Sequence, residues 1–242
     1  MSMDALIFDC DGVLVDTERD GHRVAFNKAF EKNGLPVEWS IQKYEELLKI
    51  GGGKERMKAY FDKEGYPGHI TDKENFIKAL HIDKTELFME LIRTGSLPVR
   101  PGVQRIIDEA LGENISVLIC STSNVRPVTA IAEELVGMER RNQFKGIFAG
   151  DMAKLKKPDP EIYNLAKKTL GLDPSKCVVI EDSRNGLLAA KAAGMNCLVT
   201  LSTYTQDEDM KEADNVVPDL ENNGNPITLS DLKQLIPEHH GQ

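Results

Sequence analysis

Asp9 and Asp11 stand two residues apart, directly after a short apolar run at residues 5–8, and Gly12 follows them. Carboxylates at i and i+2 in a loop let one act on a substrate while the other lies alongside it, and a glycine permits a sharp exit of the chain. Two such groups repel each other without a counter-ion, so a cation is implied. A second acidic pair, Glu181-Asp182, ends the apolar run 177–180. Oxygen-rich ligands of this kind suit Mg2+. Ser121, Thr122, Ser123 and Asn124 follow the run 117–120, and their hydroxyls and main-chain N–H groups can hold phosphate oxygens near a helix start. Lys157, ahead of Pro158 in the loop after 147–149, can add a fixed positive charge. Four run ends therefore offer acid, hydroxyl, ammonium and acid again.

Positioning these groups requires a sheet. The runs 5–8, 117–120, 147–149, 177–180 and 197–200 read as buried strands of a parallel sheet. Between the later four lie segments of helical period, 127–136, 160–170 and 185–193, each long enough for a crossover helix. The alternation predicts an α/β fold, a Rossmann-like doubly wound parallel sheet, in which ligands bind at the carboxyl ends of the strands. The interval between the first and second runs is too long for a crossover and has helical spacing at 24–30, 44–50, 57–61 and 76–92. It predicts an inserted all-helical cap domain, 17–96, returning through Leu97-Pro98-Val99-Arg100-Pro101-Gly102 to a core domain made of 1–16 and 97–242. Beyond Asp214 the chain is polar until a terminal helix at 229–236, and its His-His-Gly-Gln end is expected to be mobile.

Composition narrows the partners. The chain has 242 residues, enough for a core domain with an insertion, and its 40% hydrophobic and 29% charged residues are those of a globular protein. Its apolar runs fall far short of the ~20 residues that cross a bilayer, so no membrane association is expected. A formal charge of −9 argues against a nucleic-acid partner. A small anionic substrate needs a local basic pocket within this acidic whole. Cys10, Cys120, Cys177 and Cys197 are widely spaced, beside or within strand-like runs, and read as reduced, buried thiols. The structured pattern begins at residue 4, so a targeting peptide is expected to be absent or already removed.

The motifs Asp9-Cys10-Asp11-Gly12-Val13, Ser121, Lys157-Pro158 and Glu181-Asp182, in this order on successive predicted strand ends, resemble those of the haloacid dehalogenase (HAD) superfamily across essentially the whole chain. The resemblance implies a HAD-like core in which Asp9 is the nucleophile that forms an aspartyl-phosphate. Asp11 would be the acid/base that protonates the leaving alcohol and then activates water. It implies Mg2+ held by the Asp9 side chain, the Asp11 main-chain carbonyl and Asp182, with Glu181 at or near the ion. Ser121 and Lys157 would hold the transferred phosphoryl oxygens. Transport ATPases of similar motif carry Thr at the place of Asp11, and the dehalogenases lack that acid, which leaves a phosphatase or a phosphomutase.

The insertion narrows the substrate. Gly51-Gly52-Gly53-Lys54 lacks the spacing and the Ser/Thr of a P-loop. Three glycines between helices instead form a turn whose N–H groups, with Lys54 and Arg56, can bind a second phosphate. Together with the segments 119–123 and 156–163, the cap resembles the CbbY group of phosphatases, most closely plant and algal members that hydrolyse xylulose 1,5-bisphosphate to xylulose 5-phosphate. That similarity implies that Glu18 and His22 face the sugar. It also implies that the loop with Gly52, Gly53, Lys54 and Arg56, together with Lys84 and Arg100, holds the distal phosphate. It further implies a small-molecule sugar phosphate as partner, a monomer, and the chloroplast stroma, or otherwise the cytoplasm, as location. A β-phosphoglucomutase-like isomerase shares the same core, nucleophile and cap. Of the remaining histidines, His69, His81, His239 and His240 show no arrangement for metal or triad chemistry.

Overall fold

The computed structural model describes residues 2–50 and 53–237. Gly51 and Gly52 of the predicted phosphate loop, and His239 and His240 at the end of the chain, lie outside the described residues. The chain forms two compact units, one drawn from residues up to Asp16 and from Leu97 onward, the other Thr17–Ser96.

The first unit opens with strand β1, Ala5–Phe8. The second unit carries helices α1, Arg23–Lys32; α2, Ile41–Leu48; α3, Gly53–Glu64; and α4, Lys73–Arg93. The chain then returns to the first unit with α5, Val103–Gly112; β2, Ser116–Ser121; and α6, Val125–Ala130. A π-helical turn at Ile131–Gly137 runs on into α7, Met138–Arg141. After these come β3, Gly146–Ala149; α8, Glu161–Leu170; β4, Cys177–Glu181; α9, Arg184–Ala192; β5, Asn196–Thr200; β6, Asn215–Val217; and α10, Leu229–Gln234.

All strand pairs are parallel, in the order β3-β2-β1-β4-β5-β6. β1, β4 and β5 are buried at every position, as expected for central strands covered on both faces by helices. Connections leave β1 toward β2 and β3 on one side and toward β4, β5 and β6 on the other. The switch point, where a doubly wound sheet opens its ligand crevice, therefore lies between β1 and β4. Phe8 is level with both Ile119 and Ile180. The residues after these three, Asp9, Cys120 and Glu181, consequently emerge side by side.

Helix α5 and strand β6 are among the elements that extend the predicted set. Helix α5 buries Val103, Ile106, Ile107 and Ala110 at helical spacing. Strand β6 is a three-residue edge with two of its residues exposed, too short and too polar for an alternating pattern, and its pairing with β5 defines it. The four cysteines are buried free thiols. In the second unit, Phe26, Phe30, Trp39, Tyr44 and Phe61 are buried, with Trp39 4.8 Å from Phe26 and 4.9 Å from Phe30 between ring centres. Ser40 and Asp72 cap α2 and α4 by accepting main-chain N–H groups. No helix among the described residues is long and apolar enough to cross a membrane.

Candidate active site

At the switch point Asp9, Glu181 and Asp182 are all buried, and each offers a carboxylate oxygen within 4.8 Å of the others. The ammonium of Lys157 lies among them, donating to Asp9 Oδ1 at 2.6 Å, to Glu181 Oε1 at 2.6 Å and to the Cys120 carbonyl at 3.0 Å. Burial alone would lower the Lys157 pKa, but Asp9 and Glu181 more than offset it and keep the ammonium charged. Asp9 is raised to about 7: burial pushes it up, Lys157 pulls it down, and Glu181 and Asp11 push it up again. Asp182 is raised well above the carboxylate range by burial and by Asp9 and Glu181. Three buried carboxylates against one ammonium leave a deficit of positive charge. The donors are all oxygen, the set a hard divalent cation takes, so the residues fit Mg2+.

The backbone is shaped for that approach. Gly12 has φ +80, and a Cβ built on it would fall 2.0 Å from Asp182 Oδ2. Only a glycine admits both the left-handed turn and the carboxylate packed against it. Asp11 lies outside the three-carboxylate cluster and accepts a hydrogen bond from the Ser123 hydroxyl. Ser121 is buried at the end of β2, and its hydroxyl accepts the Ser123 main-chain N–H at 3.2 Å. The Asn124 side chain accepts the Arg126 N–H at 2.9 Å as a helix cap, and Thr122 is half-buried in the same turn.

Arg100 departs from its expected place at a distal phosphate. Its guanidinium donates to the carbonyls of Gly12, of Thr200 at 3.2 Å, of Leu201 at 2.6 Å and of Pro218 at 2.9 Å. Four of its five N–H groups thus tie the return linker to the loop after β1 and to the chain beyond β5, because a planar fork suits convergent carbonyls.

In the helical unit, Glu18 Oε2 accepts the Tyr44 hydroxyl at 2.6 Å, and Arg56 donates to that Tyr44 oxygen at 2.8 Å. Lys84, buried, donates to His22 Nδ1 at 2.9 Å, with its ammonium 4.9 Å from the Phe26 ring and 5.2 Å from Phe88. Gly53 opens α3, and a Cβ there would come 2.9 Å from His81 Nε2. Burial, with Lys84, Arg56 and His81 nearby, holds the His22 pKa well below its ordinary value. Burial, with Lys84 and Lys54, pushes His81 down to about 4. Lys54 lines a cleft of about 450 Å³ with Lys58, Asp62, Tyr66, Lys73 and Glu74. This unit gathers Arg56, Lys84 and two neutral imidazoles, with Glu18 3.9 Å from Arg56. Residue type and spacing do not single out Tyr44, His81 or Tyr163; their hydroxyl or ring partners do.

A parallel sheet that presents an ammonium-bound carboxylate beside an oxygen-only cation cradle at its switch point has the layout of a phosphoryl-transfer enzyme. A family model described as haloacid dehalogenase-like hydrolase matches residues 3–194, and the chain belongs to that family. It is 58% identical over 216 residues to the CBBY-like protein of Arabidopsis thaliana, covering 88% of this chain and 67% of that protein. It is 39% identical over 220 residues to protein CbbY of Rhodobacter capsulatus, covering 91% and 95%. A crystal structure of a CbbY variant from Rhodobacter sphaeroides in complex with xylulose-(1,5)bisphosphate matches with a TM-score of 0.78 at 37% identity, covering 96% of this chain and 99% of that one. Within the family the chain is thus a CbbY-like phosphatase.

Proposed function

We propose that this phosphatase is Mg2+-dependent and acts on a sugar bisphosphate, hydrolysing xylulose 1,5-bisphosphate to xylulose 5-phosphate through an aspartyl-phosphate on Asp9. The observation that carries the reading is the Lys157 ammonium, 2.6 Å from Asp9, beside the buried Glu181 and Asp182. An Asp9 oxygen attacks phosphorus as the bond to the sugar oxygen breaks, and Asp11 delivers its proton to the departing alcohol. Asp11, now a carboxylate, takes a proton from water as that water attacks the acyl-phosphate, releasing phosphate and restoring Asp9. Lys157 and the Ser121 hydroxyl with its neighbouring N–H groups stabilise charge on the transferred oxygens. Asp9, the Asp11 carbonyl, Glu181 and Asp182 would hold Mg2+, which supplies charge neutralisation at the phosphoryl group.

Two features support a bisphosphate. A CbbY variant has been crystallised with xylulose-(1,5)bisphosphate. The helical unit of this chain also carries Arg56, Lys84 and Lys54, cations suited to a second phosphate. Glu18, oriented by Tyr44, is assigned to the sugar hydroxyls, and so is His22. The likeness to the Arabidopsis protein supports the chloroplast stroma as location, and we expect a monomer.

The test is phosphate release from xylulose 1,5-bisphosphate by the purified protein with Mg2+, against a panel of sugar mono- and bisphosphates. One equivalent of phosphate and xylulose 5-phosphate are expected, with Asp9→Asn inactive. Conversion of β-glucose 1-phosphate to glucose 6-phosphate without net phosphate release would instead assign the mutase reaction.

A further inference from the structure

Tyr163, in the first turn of α8, is fully buried, and its hydroxyl donates to Glu181 Oε1. That oxygen is the one that accepts from Lys157 at 2.6 Å, and the Tyr163 ring lies 5.0 Å from the same ammonium. The other carboxylate oxygen, Oε2, accepts the Asp182 main-chain N–H at 3.2 Å. Behind it, Gly186 of α9 is so close that a Cβ would fall 2.0 Å from Oε2. A glutamate side chain ordinarily samples several rotamers. Here a phenol, an ammonium and an amide hold it against a bare glycine face.

We infer that Tyr163 is a positioning residue: its hydroxyl sets the orientation in which Glu181 joins Asp9 and Asp182 around the cation and keeps Lys157 engaged on Asp9. The inference rests on the reading of these carboxylates as a divalent-cation site. Partners that orient a metal ligand contribute strongly to affinity, although they never touch the ion. Tyr163 is suited to this because it reaches both charged groups at once, Glu181 through the hydroxyl and Lys157 through the ring. Phenylalanine at that place would keep the ring and its packing and lose only the donor.

The experiment is a titration of Mn2+ into the full chain without substrate, with free Mn2+ read by electron paramagnetic resonance, for wild type, Tyr163→Phe and Asp182→Asn. Wild type is expected to bind one Mn2+ and Asp182→Asn to lose it. Tyr163→Phe should bind about ten-fold or more weakly, with a circular dichroism spectrum like that of wild type. In turnover, the half-saturating Mg2+ concentration for Tyr163→Phe should rise by the same factor while KM for the sugar phosphate holds, a split that a purely structural tyrosine would not produce. If Tyr163→Phe binds Mn2+ as tightly as wild type, the inference fails and the metal site stands. If wild type itself binds no Mn2+, the metal reading fails and takes the inference with it.

Discussion

The Asp182 carboxylate lies against Gly12 so closely that any Cβ on that glycine would fall 2.0 Å from Oδ2. The turn after Asp9 and a carboxylate of the buried acidic cluster therefore occupy one space, and the shape of either constrains the other. Gly12→Ala must both adopt φ +80, which costs an L-residue about 1–2 kcal/mol, and displace Asp182. We expect a fall in kcat of at least about a hundred-fold, with weakened divalent-cation binding, since misplacing a group by about 1 Å has that effect. Steady-state kinetics across a Mg2+ series measures both.

Lys157 pairs one ammonium with both Asp9 and Glu181. Removing one partner of a buried ion pair leaves uncompensated charge and costs about 3–5 kcal/mol. Lys157→Met should lower the urea midpoint accordingly and abolish turnover. Adding Glu181→Gln should recover part of the stability without recovering activity, because it removes a charge the lysine had balanced. Denaturation of the single and double variants checks this.

Arg100 separates a scaffold role from a binding role. With its fork spread over the carbonyls of Gly12, Thr200, Leu201 and Pro218, Arg100→Lys keeps the charge but cannot span them. Stability should drop by about 1–3 kcal/mol, while KM for a sugar bisphosphate stays near the wild-type value. A large rise in KM with unchanged stability would return Arg100 to the phosphate.

The helical unit should weaken in acid. His22 is held well below its ordinary pKa by burial and by Lys84, Arg56 and His81, and His81 is pushed to about 4 by burial, Lys84 and Lys54 against a smaller pull from Glu55. In the unfolded chain both histidines take up protons near pH 6.5. Below that pH the unfolded state binds more protons than the folded one, so stability rises with pH. The contribution is complete above about pH 6.5 and is lost as the pH falls toward about 4. Urea midpoints at pH 7.5, 6 and 5 should decline, and His81→Gln should flatten the decline. Histidine Cε1–H resonances of both residues should stay at their neutral positions down to pH 5.

Five strands, most crossover helices and the acidic loop ends were legible because each is written in a short window: an aliphatic run, then a polar residue where the strand leaves the sheet. The charge deficit was legible too, since Asp9, Asp11, Glu181 and Asp182 are carboxylates wherever they lie. The convergence of Asp9 with Glu181 is implied by the family resemblance but not by any local spacing, because it depends on β4 rather than another strand pairing with β1. Strand order is a choice among long-range contacts, and no local period records it. For the same reason the stretch that forms β6 reads locally as polar chain, and the four carbonyls around Arg100 are invisible in its own segment. Nothing local singles out Tyr163, since its hydroxyl meets Glu181 only across eighteen positions of sequence. Residue types and their local spacing determined which chemistry this protein could attempt. Packing between distant segments decided which of those groups meet, because an ion pair or a buried hydrogen bond is a property of neighbours in space.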